Sequence, residues 1–149
     1  MSAALHLAKP ADLDRLLPLV EAFHSEAGLS STDEHRRAAL EPLLEGSPLG
    51  AAYLIGPSKG PIGYIVVTFG WSVEFGGMDG FIDELYIRPS IRGRGMASEV
   101  IAALTAMLKS VGMKALHLEV DPDNEKARRL YRRAHFKPRE GYLMMSRML

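Results

Sequence analysis

The sequence predicts a mixed α/β protein, a central sheet with helices on its faces. Three observations predict it. Short apolar runs of strand length alternate with longer runs whose apolar residues recur every three or four positions. Clusters of Gly and Pro punctuate them. A strand-like run, Phe81-Ile82-Asp83-Glu84-Leu85-Tyr86-Ile87, leads through the basic glycine loop Arg92-Gly93-Arg94-Gly95-Met96-Ala97 into a helix-like run from Met96 to about Ser110.

The elements follow in order. Leu5-His6-Leu7-Ala8 reads as a first strand. Pro10-Ala11-Asp12-Leu13 opens a helix with Leu13, Leu16, Leu17, Val20 and Phe23 on one face; Pro18 should kink or shorten it. Ser31-Thr32-Asp33-Glu34 is a capping run for a second helix to about Glu45, with Ala38, Leu40 and Leu44 apolar. Residues 51–55 and 62–69 read as strands joined by the turn Gly56-Pro57-Ser58-Lys59-Gly60-Pro61. Gly76 to Gly80 reads as a further turn into the strand before the loop. Residues 115–120 form the next strand, 125–134 a helix and 142–148 a last strand. At 149 residues, with no repeats, the chain is expected to be one domain over 1–149.

Composition narrows the function classes. There are no cysteines, which removes disulfides, thiolate ligands and a thiol nucleophile. No run of about 18 apolar residues suggests a membrane span. The N-terminus lacks a basic-then-apolar signal pattern, so a cytoplasmic location is the default expectation. The five histidines (6, 24, 35, 117, 135) lack metal-ligand spacing, so no metal is expected. Net charge is zero but unevenly placed, −5 over residues 1–80 and +5 over 81–149. A basic second half suits a polyanionic cofactor, and an acidic first half suits a cationic substrate. The basic residues are not interleaved with aromatics, so no nucleic-acid partner is expected.

A strand, a short glycine loop and a helix start form an anion site, because the first amides of a helix have no partner inside it. The loop fits neither the Walker A pattern nor the dinucleotide fingerprint, which has Ser98 where its last Gly belongs. It fits R/Q-x-x-G-x-G/A through Arg92, Gly95 and Ala97. Downstream, Asn124-x-x-Ala127-x-x-Leu130-Tyr131-x-x-x-x-Phe136 resembles a second segment, N-x-x-A-x-x-L-Y-x-x-x-G-F, and Ile87-x-Pro89-x-x-Arg92 a strand exit. On these residues the chain resembles the GCN5-related N-acetyltransferase (GNAT) superfamily, strongly from Phe81 to Phe136 and weakly before Gly63. The family Gly before the final Phe is His135 here, so a different turn geometry is expected there.

The resemblance implies a GNAT-like mixed central sheet flanked by helices, acetyl-CoA as co-substrate and transfer of its acetyl group to a primary amine. It implies cofactor contacts from Leu85, Tyr86, Ile87, Arg92, Gly93, Arg94, Gly95, Met96, Ala97, Asn124 and Tyr131. Transfer to an amine needs a base, since an alkyl ammonium has a pKa near ~10.4. Glu84 is the first candidate, Asp83 the second and Glu119 the third; strand alternation lets only one of Asp83 and Glu84 face the site unless a bulge intervenes. Tyr131 is the candidate acid for the departing thiolate. Trp71, Glu74, Asp83 and Glu119 are the candidate acceptor residues, with Phe23, His24 and Glu26 further contributors.

Three functions stay open. The first is an N-acetyltransferase for a small cationic amine of polyamine, amino-acid or aminoglycoside type. The second is a protein acetyltransferase acting on a lysine or an N-terminal amine. The third is a non-catalytic acyl-CoA-binding module. Many members of this fold pair into dimers, so a homodimer is an open expectation.

Overall fold

The computed structural model describes residues 4–149, which form two compact units, one ending at Glu119 and the other spanning Val120–Leu149. The first holds a five-stranded sheet in the order β1 (Leu5–Leu7), β2 (Gly50–Ile55), β3 (Gly63–Ser72), β4 (Gly77–Ile87), β5 (Ala115–Leu118). Strands β1 to β4 pair antiparallel and β5 joins β4 in parallel, giving the expected mixed sheet. The same unit carries helices α1 (Leu13–Glu26), α2 (Asp33–Leu44) and α3 (Met96–Ser110).

Helix α1 buries Leu16, Leu17, Leu19 and Val20. These join Leu40 and Leu44 of α2 and Leu54, Tyr64, Val66 and Tyr86 of the sheet in one apolar cluster. Each fully buried side chain of this kind contributes about 1.5–3 kcal/mol. Ile65 and Val67 alternate with Tyr64 and Val66 and are buried on the sheet's other face. Helix α3 in turn buries Met96, Val100, Ile101, Leu104 and Leu108.

Several elements depart from the pattern read in the sequence. Helix α1 runs on past Pro18, which is exposed and sits in the first turn and a half, so few carbonyls precede it. In α2 the Thr32 side chain accepts the His35 amide as expected of a cap, but Ala38 is exposed and Arg36 is buried in its place. The turn expected at residues 76–80 is tighter: β4 already begins at Gly77 and pairs with β3 from Ser72 onward. The strand expected at 142–148 does not form. Tyr142, Leu143, Met144, Met145 and Met148 are exposed there, and no strand among the described residues pairs with them.

Two features of β4 position the site. Val66 pairs with Glu84 but Val67 pairs with Ile82, so Asp83 is an extra residue, a β-bulge. The pairing with β5 covers only Asp79 to Ile82. From Asp83 to Ile87, β4 therefore has β3 on one side and no strand on the other among the described residues.

Candidate active site

The bulge, the end of the β4–β5 pairing and the candidate carboxylates coincide. Glu84 is mostly buried, and both its oxygens are held by donors. The Tyr64 hydroxyl donates to Oε1 at 2.8 Å, and His24 Nε2 lies 2.7 Å from Oε2. Tyr64 is fully buried, and that burial, followed by the Glu84 charge, pushes its phenol far above the ordinary range. It therefore acts here as a fixed hydrogen-bond donor.

Asp83 keeps more than a third of its surface exposed, yet the protein around its carboxyl removes enough water to raise its pKa. The charges of Glu84 and Glu119 push the same way, and His24 opposes them. Asp83 thus lies within electrostatic reach of both Glu84 and Glu119. The structure does not bring Trp71 and Glu74 to them. Trp71 pairs with Met78 near the exposed tip of the β3–β4 hairpin, five residues along β3 from the partner of Glu84, or about 16 Å of strand.

The phosphate loop keeps its amides available. Gly93 and Gly95 have φ of +79° and +78°, the left-handed region that glycine enters freely. The first bond of α3 runs from the Glu99 amide to the Gly95 carbonyl at 3.1 Å, so the Met96, Ala97 and Ser98 amides before it have no partner in the helix. A Cβ at Gly93 or Gly95 would meet no described atom within 4 Å. These features fit a pyrophosphate. Arg94 is exposed beside them.

Arg92, expected at the cofactor, is engaged within the protein. Its guanidinium makes a bidentate pair with Glu26, both contacts at 2.7 Å, and its Nε donates to the Ile87 carbonyl at 2.8 Å. It also lies over the Tyr86 ring, 5.5 Å from the centroid. Glu26 is held below the usual carboxylate range first by this hydrogen bond. The Leu85 to Ile87 backbone lies on the stretch of β4 that lacks a second strand.

In the second unit, Asn124 caps α4 (Glu125–Arg133) by accepting the Ala127 amide at 3.1 Å. Tyr131 lies on α4, edge-on to Phe136 with ring centroids 6.1 Å apart, and burial raises its pKa. His135 has φ +71°. Its amide bonds to the Arg132 carbonyl and that of Phe136 to Tyr131, both at 2.9 Å. This is the helix-ending turn a glycine usually makes, so the expected change of geometry does not occur; a histidine adopts it at a cost of about 1–2 kcal/mol.

The sequence underrated His24. Its Nδ1 lies 2.8 Å from Ser31 Oγ, which also accepts from Arg36 Nη1 at 2.8 Å. Beside this chain is an open groove of about 610 Å³ lined by Glu21, His24, Ser31, Thr32, His35 and Arg36, among others. The turn at Gly28 breaks the helix between His24 and Ser31, and Glu84 lies 60 residues on, so only the fold reveals the contacts. No group of three or more His, Cys, Asp or Glu residues suited to a metal occurs among the described residues, and no helix there is long and apolar enough to cross a membrane.

Comparison with known proteins fits this geometry. An integron cassette protein from the mobile metagenome of Cole Harbour Salt Marsh is 31% identical, with 97% of this chain and 90% of that one covered and a TM-score of 0.83. A protein of Arthrobacter sp. FB24 bearing a provisional acetyltransferase name is 30% identical, with coverage of 98% and 96% and a TM-score of 0.82. AAC(6')-Iy, solved with the bisubstrate analogue CoA-S-monomethyl-acetylneamine, shares the fold at 16% identity, with 100% of each chain covered and a TM-score of 0.82. No match was found among curated protein sequences. The model of the acetyltransferase (GNAT) family matches residues 14–136, from α1 through the phosphate loop to the end of α4, and the chain belongs to that family.

Proposed function

We propose that the chain, as one domain over 1–149, is an N-acetyltransferase that moves an acetyl group from acetyl-CoA to the primary amine of a small cationic molecule. The observation that carries this reading is Glu84. It is a carboxylate held by two donors at the bulge where β5 stops pairing with β4, with Asp83 adding negative charge beside it and Glu119 within reach of Asp83. Carboxylates at that point attract an ammonium and hold it beside a group that can take its proton. The aminoglycoside-type analogue bound by AAC(6')-Iy supports an acceptor of this class.

Acetyl-CoA supplies the activated acetyl group. The Met96, Ala97 and Ser98 amides, with Gly93, Gly95 and Arg94, would hold its pyrophosphate. The unpaired stretch of β4 at Leu85, Tyr86 and Ile87 would take its amide arm as an added strand. The family resemblance assigns Asn124 to the cofactor and Tyr131 the role of acid for the departing thiolate. The raised pKa of Tyr131 keeps the phenol protonated at neutral pH, as a donor must be.

The test is CoA release from acetyl-CoA with spermidine, lysine, neamine and a short peptide as acceptors. The chain has no Cys, so a thiol reagent reads only the released CoA. Release with one of the small amines, lowered about 100-fold in kcat/KM by Glu84→Gln, is the expected result. Release with the peptide alone would move the function to a protein acceptor. Acetyl-CoA binding without release to any acceptor would make the chain a binding module.

A further inference from the structure

We infer that the atom which takes the amine's proton is Nδ1 of His24, with Ser31 as the relay and Glu84 as the carboxylate that orients and charges the ring. This deepens the acetyltransferase reading and rests on it.

The hydrogen-bond inventory carries the inference. Arg36 can only donate, so Ser31 Oγ accepts from its Nη1. Tyr64 donates to Oε1 of Glu84. A bare Nε2 cannot face ionised Oε2 at 2.7 Å, so the neutral ring carries its hydrogen on Nε2. Nδ1 is then the free base, and the Ser31 hydroxyl, 2.8 Å away, donates its one proton to it. The array is carboxylate, imidazole, hydroxyl, in the order by which a buried acid holds a histidine ready to accept a proton.

The fold builds the array from three separate elements. His24 lies in the last turn of α1. Gly28, at φ +71°, reverses the chain after it, with the Leu29 amide returning to the His24 carbonyl at 2.8 Å. That turn carries Ser31 back opposite the ring, while β4 supplies Glu84 from the other side. Side-chain exposure is only 14% for His24, 18% for Glu84 and 8% for Arg36, so water competes weakly for these bonds. The array opens on the groove between α1 and α2, where Glu21 adds a further negative group for a cationic acceptor. The other charged neighbours are Asp83 on β4, His35 and Arg36 on α2 and Glu119 after β5.

The protons balance. An incoming ammonium carries three. One passes to Ser31 Oγ as that hydroxyl's own proton moves to Nδ1, and the imidazolium forms against Glu84. A second replaces the proton that the acid gives the departing sulfur as the C–N bond forms and the C–S bond breaks. One stays on the amide. His24 then returns its proton to water in the groove.

Two measurements test this. Nitrogen NMR of the free protein, with His24 identified by its loss in His24→Gln, should show a neutral ring protonated on Nε2; a ring protonated on Nδ1 overturns the inference without any acceptor present. Kinetics use whichever of spermidine, lysine or neamine releases most CoA. His24→Gln should lower kcat/KM about 100-fold and remove one limb of the wild-type pH profile. Ser31→Ala should lower kcat, and Ser31→Thr should restore it. An unchanged profile in His24→Gln, with Glu84→Gln still inactive, would make Glu84 the direct base and overturn the inference. A wild-type protein that releases no CoA to any amine would instead sink the acetyltransferase reading.

Discussion

Asp83 shows how one inserted residue changes what a strand offers. Without the bulge, Asp83 and Glu84 would point to opposite faces. With it, Glu84 reaches Tyr64 and His24 while Asp83 stays within the field of Glu84 and Glu119. Burial first, and those charges second, raise the Asp83 pKa, so the folded protein binds its proton more tightly than the unfolded chain does. Its ionised form therefore costs stability at neutral pH, and the cost disappears below the unfolded value of about 3.9. Asp83→Asn should raise Tm at pH 7, with the gain shrinking to nothing as the pH is taken below about 4. Thermal melts across that range read it directly, and a fall in Tm at pH 7 would contradict the assigned electrostatics.

At the level of elements, the β3–β4 pair is the frame of the site, and its tightest point is Gly63. A Cβ there would lie 2.1 Å from the Tyr86 carbonyl oxygen, a contact with backbone that no rotamer relieves. Gly63 also pairs with Ile87, so the strain would fall on the segment proposed to receive the cofactor arm. Gly63→Ala should destabilise the protein by about 3 kcal/mol, as overpacking of a filled interior does. Denaturant titration gives the loss, and acetyl-CoA binding should weaken with it. The sequence marks this position only as a glycine beside a turn. Its requirement for a missing side chain comes from a strand 23 residues later, which only the fold brings alongside.

At the scale of the molecule, Glu26 and Arg92 tie the end of α1 to the phosphate loop across 66 residues. The bidentate geometry occupies the arginine that the loop pattern assigns to phosphate. The pair is partly exposed, so it is worth no more than about 1 kcal/mol. Removing the competing carboxylate by Glu26→Gln should lower the acetyl-CoA Kd by up to about fivefold, measured by calorimetry at low salt. An unchanged Kd would mean that Arg92 has no part in phosphate binding. Because α1 also carries His24, the same contact joins the cofactor loop to the groove proposed for the acceptor.

The sequence by itself determined the order of strands and helices up to α4 and the bounds of α3, because these depend on local periodicity, glycine and caps. Its grouping of Asp83, Glu84 and Glu119 also rests on strand proximity that a linear reading can follow. The strand expected at residues 142–148 failed because apolar residues make a strand only where a neighbour pairs with them. The bulge, the Glu26–Arg92 pair and the Tyr64–Glu84–His24–Ser31 chain were decided by tertiary structure alone. Most join residues 20 to 66 positions apart, and hydrogen bonds between such residues exist only once packing of the core has fixed where their backbones lie.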